Sequence, residues 1–530
     1  MLRVRAPLVA EVLLQPGRHR LRSGTKQATF PLSGAFPGTK ETLESMARAR
    51  ALMTSMVAVA AGKGLTAIAG LLTIMVLTRD LGPHEFGYYR TVLTYAAFGS
   101  VLADLGIYLV GLREMSKPGA DVARVVGNAL LLRLVTTAAV LLAVSLVGLT
   151  LPYDSTVKEG IFLGAMIYTA VQGSEFLVAV FQLHMKQAGS ALAEAGGALA
   201  TLIAVWVLSQ WDVGVLPMLC GTLFGALTAL AISWTLARRL VPFRLAFEPA
   251  TWRHYFVSGL PIAGSHILSM AMLRGDTLML SLFKPAAAVG LYGVPTKMFE
   301  LATSLPYMFA GLMMPLLAAA AARPGSEFNR LLGRSLDAML VYGVGAMLAL
   351  GACAPQLLSF ISGPEFAEGA PALVVLAIAG VFTALSIVLR FSLIALDRPR
   401  FVLLADGASC AIALVAYFVL IPLYSLYGAA IGTAIAELNV FIAMLVGLRK
   451  AGQATPKMLA SVKTMVAGGT AAGAIWLMTR LELNWMLALV IGGALYVTLL
   501  ALTGALPREF MDSLRKKRRA TGEAIQSSDG

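Results

Sequence analysis

The feature that most constrains this chain is the recurrence of apolar stretches about 20 residues long, the length a helix needs to cross ~30 Å of hydrocarbon. Such windows fall near residues 54–78, 87–112, 122–149, 160–182, 190–210, 213–237, 255–282, 288–317, 331–361, 369–396, 401–422, 426–448, 460–479 and 484–506. The fold class expected from them is an all-α integral membrane protein with about fourteen transmembrane helices. Composition agrees, since 58% of the residues are hydrophobic and 13% charged, where a soluble domain runs near a quarter charged.

The net charge of +14 does not point to nucleic acid, because the cations are laid out as a topology signal. Seventeen Lys and Arg residues lie in, or about a turn from, alternate loops beginning with the one after the second span. The seven opposite loops hold only Arg79, Lys158, Lys284 and Arg480. The positive-inside rule then puts both termini in the cytoplasm and "RDLGPHE" (79–85) on the outer face.

Residues 1–50 are basic and broken by Pro and Gly. A signal peptide needs an apolar core of about 7–15 residues, and Glu11 interrupts "APLVAEVLL". This segment is expected to be a disordered cytoplasmic tail, with Met46 as an alternative start. The rest divides into an N-terminal six-helix lobe (51–237), a cytoplasmic linker with four arginines (238–254), a C-terminal six-helix lobe (255–450), two further helices (451–506) and a basic tail (507–530). The lobes share a trace of sequence: "EFGYYRTVLT" opens the second span and "AVGLYGVPTK" the eighth, setting Gly87 on Gly290 and Tyr89 on Tyr292. An even number of spans separates them, so the halves run parallel, a transporter architecture with its substrate site between the repeats. Cys220, Cys353 and Cys410 show no pairing or metal spacing.

Six cations lie within spans: Lys63, Arg90, Arg133, Arg274, Lys297 and Arg390. Each costs roughly 2.5–3.5 kcal/mol at a helix centre, about 15–20 kcal/mol together, so they must pair with acids or line a wet cavity. The acids available are Asp104, Glu175, Glu194, Asp276, Glu300, Asp337, Asp406 and Glu437. Lys297 and Glu300 share a helix face at i, i+3. Arg390 and Asp406 flank the short turn "LDRPR" and are placed to bridge spans 10 and 11. Arg274 and Asp276 stand about 200° apart around a helix and are expected on different faces, one toward a cavity.

Lys63, in "AAGKGLTAIAG", is no P-loop lysine, because Gly64 stands where Walker A needs Ser or Thr. The small residues beside it suit close helix packing. Cations inside a bilayer suit an anion that must enter it, and a phosphate or pyrophosphate on a lipid is the natural choice, with Lys as a point charge and Arg as a fork. No HExxH, H-x-E with CxxC, or GxSxG is present, so neither an enzyme site, a metal nor a cofactor is expected.

The residues that carry charge and glycine also carry a likeness. Thr78-Arg79, Leu81-Gly82-Pro83, Phe86-Gly87-Tyr88-Tyr89, Asp104-Leu105-Gly106 and Arg113-Glu114 follow one another in "LTRDLGPHEFGYYRTVLTYAAFGSVLADLGIYLVGLREMSK". Val289-Gly290-Leu291-Tyr292, Gly363-Pro364-Glu365-Phe366, and Ile421-Pro422 with Gly428-Ala429-Ala430 follow in the second half. In this order, from about residue 50 to 450, the chain resembles the Wzx-type polysaccharide-biosynthesis flippases of the MATE-like exporter superfamily. The resemblance implies two six-helix lobes facing across a cavity, with two helices appended. It implies an inner-membrane protein that moves polyprenyl-pyrophosphate-linked oligosaccharide outward for O-antigen, capsule or exopolysaccharide export, beside a polysaccharide polymerase and export machinery.

In that family the first, second, seventh and eighth helices usually line the cavity, which favours Lys63, Arg90, Arg274 and Lys297 for the pyrophosphate and glycan. Asp104, Asp276 and Glu300 are the candidates for coupling to a proton or Na⁺. "RDLGPHEFGYYR" is then an outer turn at the cavity mouth, with Phe86, Tyr88 and Tyr89 as interfacial anchors and Arg79 neutralising Asp80 or Glu85. Alternatives are a peptidoglycan lipid-precursor flippase or a cation-coupled drug exporter of the same superfamily. From another class come a membrane glycosyltransferase or polymerase, though the outer loops are short for a polymerase.

Overall fold

A computed structural model describes residues 38–104, 106–322, 326–453 and 459–504. Residues 1–54 form a unit separate from residues 55–530, and the features below lie in the latter. The expected tail 507–530 falls outside the described residues, as do residues 1–37. Residues 38–50, expected in the first tail, are helical, in keeping with the proline-free, helix-favouring run "ETLESMARARAL".

The described residues are helical, and no strand occurs among them. In order come α1 (Gly38–Asp104), α2 (Ile107–Met115), α3 (Val122–Gly148), α4 (Ser155–Leu183), α5 (Ala188–Leu208), α6 (Val215–Leu240), α7 (Pro249–Phe283), α8 (Ala286–Ala321), α9 (Glu327–Gly351), α10 (Ala354–Ser362), α11 (Ala370–Ala395), α12 (Pro399–Lys450), α13 (Leu459–Arg480) and α14 (Trp485–Thr503). Ten are long and apolar enough to cross a membrane, against fourteen spans expected. Two of the ten, α1 and α12, each merge two expected spans. The expected spans over 255–282 and 460–479 correspond to α7 and α13, which are not among the ten; α13 is diluted by Gly and Thr.

The breaks inside α1 and α12 have local causes. Gly82 adopts φ 65°, ψ 179°, a left-handed backbone open to glycine, and Pro83 then sits where a new helix starts, its missing N–H costing nothing. In α12 Ser425 takes φ 54°, and a Cβ on Gly428 would lie 2.1 Å from the Leu420 carbonyl oxygen. The Tyr417 and Thr433 hydroxyls are 3.1 Å apart, although sixteen residues of straight helix would separate them by about 24 Å. So α12 is a helical hairpin of two antiparallel arms.

Helices α3 to α6 pack chiefly on one another, as do α7 to α9, α11 and α12, while α13 and α14 pair together and lean on α9. Two kinds of contact join the groups. At one end the linker and the start of α7 lie on α2 and α3: Glu248, the α7 N-cap, forks onto Arg124 at 2.6–3.1 Å, His254 approaches Glu114 at 3.4 Å, and Tyr255 is buried among α2, α3 and α6. Arg124, with Thr251, holds the Glu248 carboxyl down at about 2. The far end of α7 packs instead against α12, so this helix belongs to both groups.

At the Gly82 face the contact is backbone against backbone. A Cβ on Gly87 would lie 1.9 Å from the Ala286 carbonyl oxygen, and one on Gly290 1.9 Å from that of Pro83. The two residues matched by sequence therefore meet reciprocally, each on the carbonyl four residues before the other. Phe86 is fully buried and packs edge-on to Phe366, while Tyr89, also buried, hydrogen-bonds Thr222 at 2.8 Å. These rings fill the crossing rather than anchor an interface, because the glycines bring α1 and α8 close enough to enclose them. Arg79 likewise departs from expectation: it donates to the Phe360 carbonyl at 2.6 Å, near the end of α10, a helix terminus whose carbonyls lack internal partners.

Gly290→Ala is expected to force this crossing apart. Overpacking of that kind costs roughly 1–3 kcal/mol, a factor of about 5–150 against the closed arrangement. Nitroxide labels at His84 and Glu368 should report longer distances in Gly290→Ala and unchanged ones in Gly64→Ala, where a Cβ meets nothing within 4 Å; equal distributions in both would refute the role given to the crossing.

Candidate functional site

The intramembrane charges fall into three groups, and their partners differ in kind. In the first, Arg133 of α3 is 3% exposed. Its guanidinium pairs with Asp104, donates to the Gln172 backbone at 3.0 Å and side chain at 2.6 Å, and lies 3.7 Å from Glu175. Gln172 in turn donates to the Ser100 carbonyl at 2.9 Å. Asp104 is delivered there because α1 stops at it, ahead of a left-handed Gly106 (φ 68°). This is a closed brace between α1, α3 and α4.

Lys63 belongs to the same half. Its ammonium is 2.5 Å from Glu194 of α5, and the two side chains are 53% and 36% exposed. Gly62 permits the approach, since a Cβ there would come 2.8 Å from that of Ala191.

The second group lies where α1 meets α7 and α8. Arg274 contacts one Glu300 oxygen at 2.7 Å and Lys297 the other at 3.2 Å. Arg90 reaches over from α1, donating to Thr296 at 3.3 Å while its Nε is buried without a partner. Gly293 makes room for it, because a Cβ there would stand 3.1 Å from both Arg90 Cγ and Nε. Arg90 is within electrostatic range of Arg274, Glu300 and Tyr168. Three cations thus surround one carboxylate. Arg90, Arg274 and Lys297 come together here, and Lys63 does not join them.

The third group surrounds Asp276, which is 6% exposed. Its carboxylate accepts from the Tyr292 hydroxyl at 2.7 Å, the Thr277 N–H at 2.6 Å, the Thr277 hydroxyl at 3.2 Å and Thr433 at 3.4 Å. Tyr417 reaches Thr433. The expected bridge between Arg390 and Asp406 is present at 2.7 Å.

A cavity of about 200 Å³ connects the second and third groups and is lined by Arg274, Asp276, Thr296, Glu300, Arg390 and Glu437 among others. Arg274 and Asp276 both line it, against the expectation that only one would, because the space wraps around α7. Tyr168, Thr296, Tyr292 and Thr433 were not foreseen. Each is a hydroxyl on an otherwise apolar helix, which carries no charge signal in sequence. Among the described residues no group of His, Cys, Asp and Glu is placed to hold a metal, and the three cysteines are free thiols.

The family described as "Polysaccharide biosynthesis protein" matches residues 52–320, just over half of the chain. No curated protein sequence matches. Among solved structures, a lipid II flippase MurJ in an inward closed conformation superposes with TM-score 0.71 at 12% identity, covering 84% of this chain and 98% of its own. An inward-facing MATE-family multidrug resistance transporter of the MOP superfamily gives 0.57 at 14%, covering 73% and 94%. An outward-facing structure of that class gives 0.50 at 14%, covering 76% and 94%. The fold is of the MurJ and MATE kind.

The Asp104–Arg133 brace and the Lys63–Glu194 pair should separate in a stability measurement. Arg133→Met leaves a buried carboxylate uncompensated and is expected to cost about 3–5 kcal/mol, read as a large fall in the melting temperature of the purified protein. Lys63→Met removes a half-exposed pair and should cost about 0–1 kcal/mol. Equal shifts would contradict the assignment of the first as a closed structural pair.

Proposed function

The chain belongs to the polysaccharide biosynthesis protein family and is a multi-pass membrane protein, and on that premise we propose that it flips polyprenyl-pyrophosphate-linked oligosaccharide units across the inner membrane. Both termini lie in the cytoplasm in this reading, as the loop cations favour. The supporting observation is the surplus of charge where the halves meet: Arg90, Arg274 and Lys297 around Glu300. That cluster carries two uncompensated positive charges, a match for a pyrophosphate. Arginine offers paired N–H donors to its oxygens, and lysine a mobile point charge. The unpartnered Arg90 Nε is a donor held ready for such a ligand. Lys63 is a further contact on the opposite side, available once it leaves Glu194.

Uptake occurs with the linker end open and the Gly87–Gly290 crossing closed; rocking of the halves then opens the crossing outward. Release needs the anion's hold to weaken. Of Asp104, Asp276 and Glu300, the first is committed to Arg133 and the last to two cations, whereas Asp276 has hydroxyl and amide donors. We assign the coupling proton or Na⁺ to Asp276, two residues from Arg274, where its binding in the outward state reshapes the site beside the anion. A membrane potential negative inside also drives anions outward, by about 2.3 kcal/mol per charge per 100 mV. A polymerase and export machinery would take the product.

The peptidoglycan-precursor reading uses the same chemistry and differs in the lipid carried. A drug exporter would place cationic cargo against a positive cluster, which charge disfavours.

The test is leaflet-resolved analysis of lipid-linked glycans after deletion of the gene. Deletion should trap a lipid-linked polysaccharide unit on the cytoplasmic side. Arg274→Ala or Arg90→Ala should cut its release about tenfold or more, as loss of a charged hydrogen bond of ~1.5–3 kcal/mol implies, with partial recovery in Arg274→Lys. Trapped peptidoglycan precursor would select that alternative, and sensitivity to cationic drugs with no trapped lipid would select the exporter. Separately, Asp276→Asn should retain pyrophosphate binding but lose the response of flipping to an imposed Na⁺ or pH gradient; an intact response would move coupling elsewhere.

A further inference from the structure

The cavity beside the cation cluster has a second polar end that pyrophosphate binding leaves unused. It is formed by Arg390 of α11 and by Asp406 and Glu437 on the two arms of α12, with Tyr307 of α8 beside them. The Arg390–Asp406 pair is partly open: 26% and 16% of the side chains are accessible. Its hydrogen-bonding capacity is also unspent, since Arg390 Nε and Asp406 Oδ1 have no partner and only one of five guanidinium donors meets Asp406 at bonding distance. Tyr307 is 51% exposed. Met272, Phe299 and Leu376 complete an apolar side.

Planar carboxylates and a guanidinium converging on a small space, with an aromatic ring and aliphatic groups beside it, are what a sugar ring requires. Its hydroxyls need donors and acceptors in pairs, and its C–H face needs an apolar or aromatic surface. The volume of about 200 Å³ equals some seven waters at ~30 Å³ each, enough for one ring and too little for an oligosaccharide. A pyrophosphate held at Arg274 would put the first sugar into this space.

Charge narrows the choice of sugar. The lining carries four carboxylates, Asp276, Glu300, Asp406 and Glu437, against two guanidinium groups, Arg274 and Arg390. Both guanidinium groups are already paired. Among the described residues Asp276 and Glu437 make no ion pair with a cation. A ring bearing its own carboxylate would face like charge, which disfavours binding, whereas a hydroxyl or an ammonium would be accepted.

Building on the flippase reading, we infer that the Arg390–Asp406–Glu437 end of this cavity, with Tyr307, is a subsite for the sugar attached to the pyrophosphate and selects a neutral or amino sugar over a uronic acid.

The test titrates the full-length protein in nanodiscs with four probes: geranyl pyrophosphate alone, and its conjugates with glucose, glucosamine and glucuronate. The glucose and glucosamine conjugates should bind about tenfold tighter than the glucuronate conjugate. Glu437→Gln, nearly isosteric, should bring the three conjugates to within about twofold of one another. Arg274→Ala should weaken all four probes alike. If wild type binds geranyl pyrophosphate but does not distinguish the sugars, the subsite is overturned while the flippase reading stands. If wild type binds none of the probes, both fall. Tighter binding of the glucuronate conjugate, or a preference for neutral sugars unchanged in both Glu437→Gln and Asp406→Asn, also overturns it. A Na⁺-dependent rise in melting temperature that Glu437→Gln abolishes, with no sugar discrimination, would give this end of the cavity to a cation instead.

Discussion

The close approach of α1 and α8 at Gly87 and Gly290 is the constraint from which the site follows. Each glycine rests on a carbonyl of the facing helix, and neither position has room for a methyl group. Contact at that range fixes the two helices in angle and register, as side-chain packing alone would not. The consequences run along both helices from the crossing. Three residues on from Gly87 stands Arg90; three on from Gly290 stands Gly293, whose bare backbone admits the Arg90 side chain. One further turn brings Thr296 and Lys297. The contact is isologous in form, residue i meeting j as j meets i.

The intramembrane cations illustrate two uses of one chemistry. Arg133 is saturated by Asp104 and Gln172, with Glu175 alongside, a set without surplus cation that holds three helices in place. The cluster at Glu300 is unbalanced by two charges and has a donor to spare. A fold gains nothing in stability from such an imbalance, since gathering like charges in a medium of low dielectric is costly. The proposed pyrophosphate site rests on that imbalance, and the saturated set has the character of a girder.

Much of this was legible in the sequence because it is written in strong signals. Apolar length gave the helical membrane fold, and the short glycine-bearing repeat matched Gly87 to Gly290, which the structure brings together. The ion pairs Lys297–Glu300 and Arg390–Asp406 follow from helical spacing and from a short turn, both local. What sequence did not reveal depends on long-range approach. Glu300 meets Arg274 from another helix, Arg79 finds a carbonyl 281 residues away, and the rings of Phe86 and Tyr89 are enclosed only because two backbones touch. The hydroxyls around Asp276 were invisible for a different reason: threonine and tyrosine are ordinary in apolar helices, and three helices must assemble before four of their polar groups face one carboxylate.

The course of α7 carries a mechanical consequence. Its first turns are fastened to α2 and α3 through Glu248, His254 and Tyr255, and its last turns pack with α12. From His254 to Asp276 is 22 residues, about 33 Å of helix at ~1.5 Å each. Over that length a tilt of about 10° at the fastened end, carried undiminished past Pro261, would displace the other end of this arm by roughly 6 Å. Asp276 and Arg274 sit near the swinging end. A small angular change between the halves is thereby magnified where the charges are, and the coupling ion proposed for Asp276 would act on the arm at its long end, where the least force turns it.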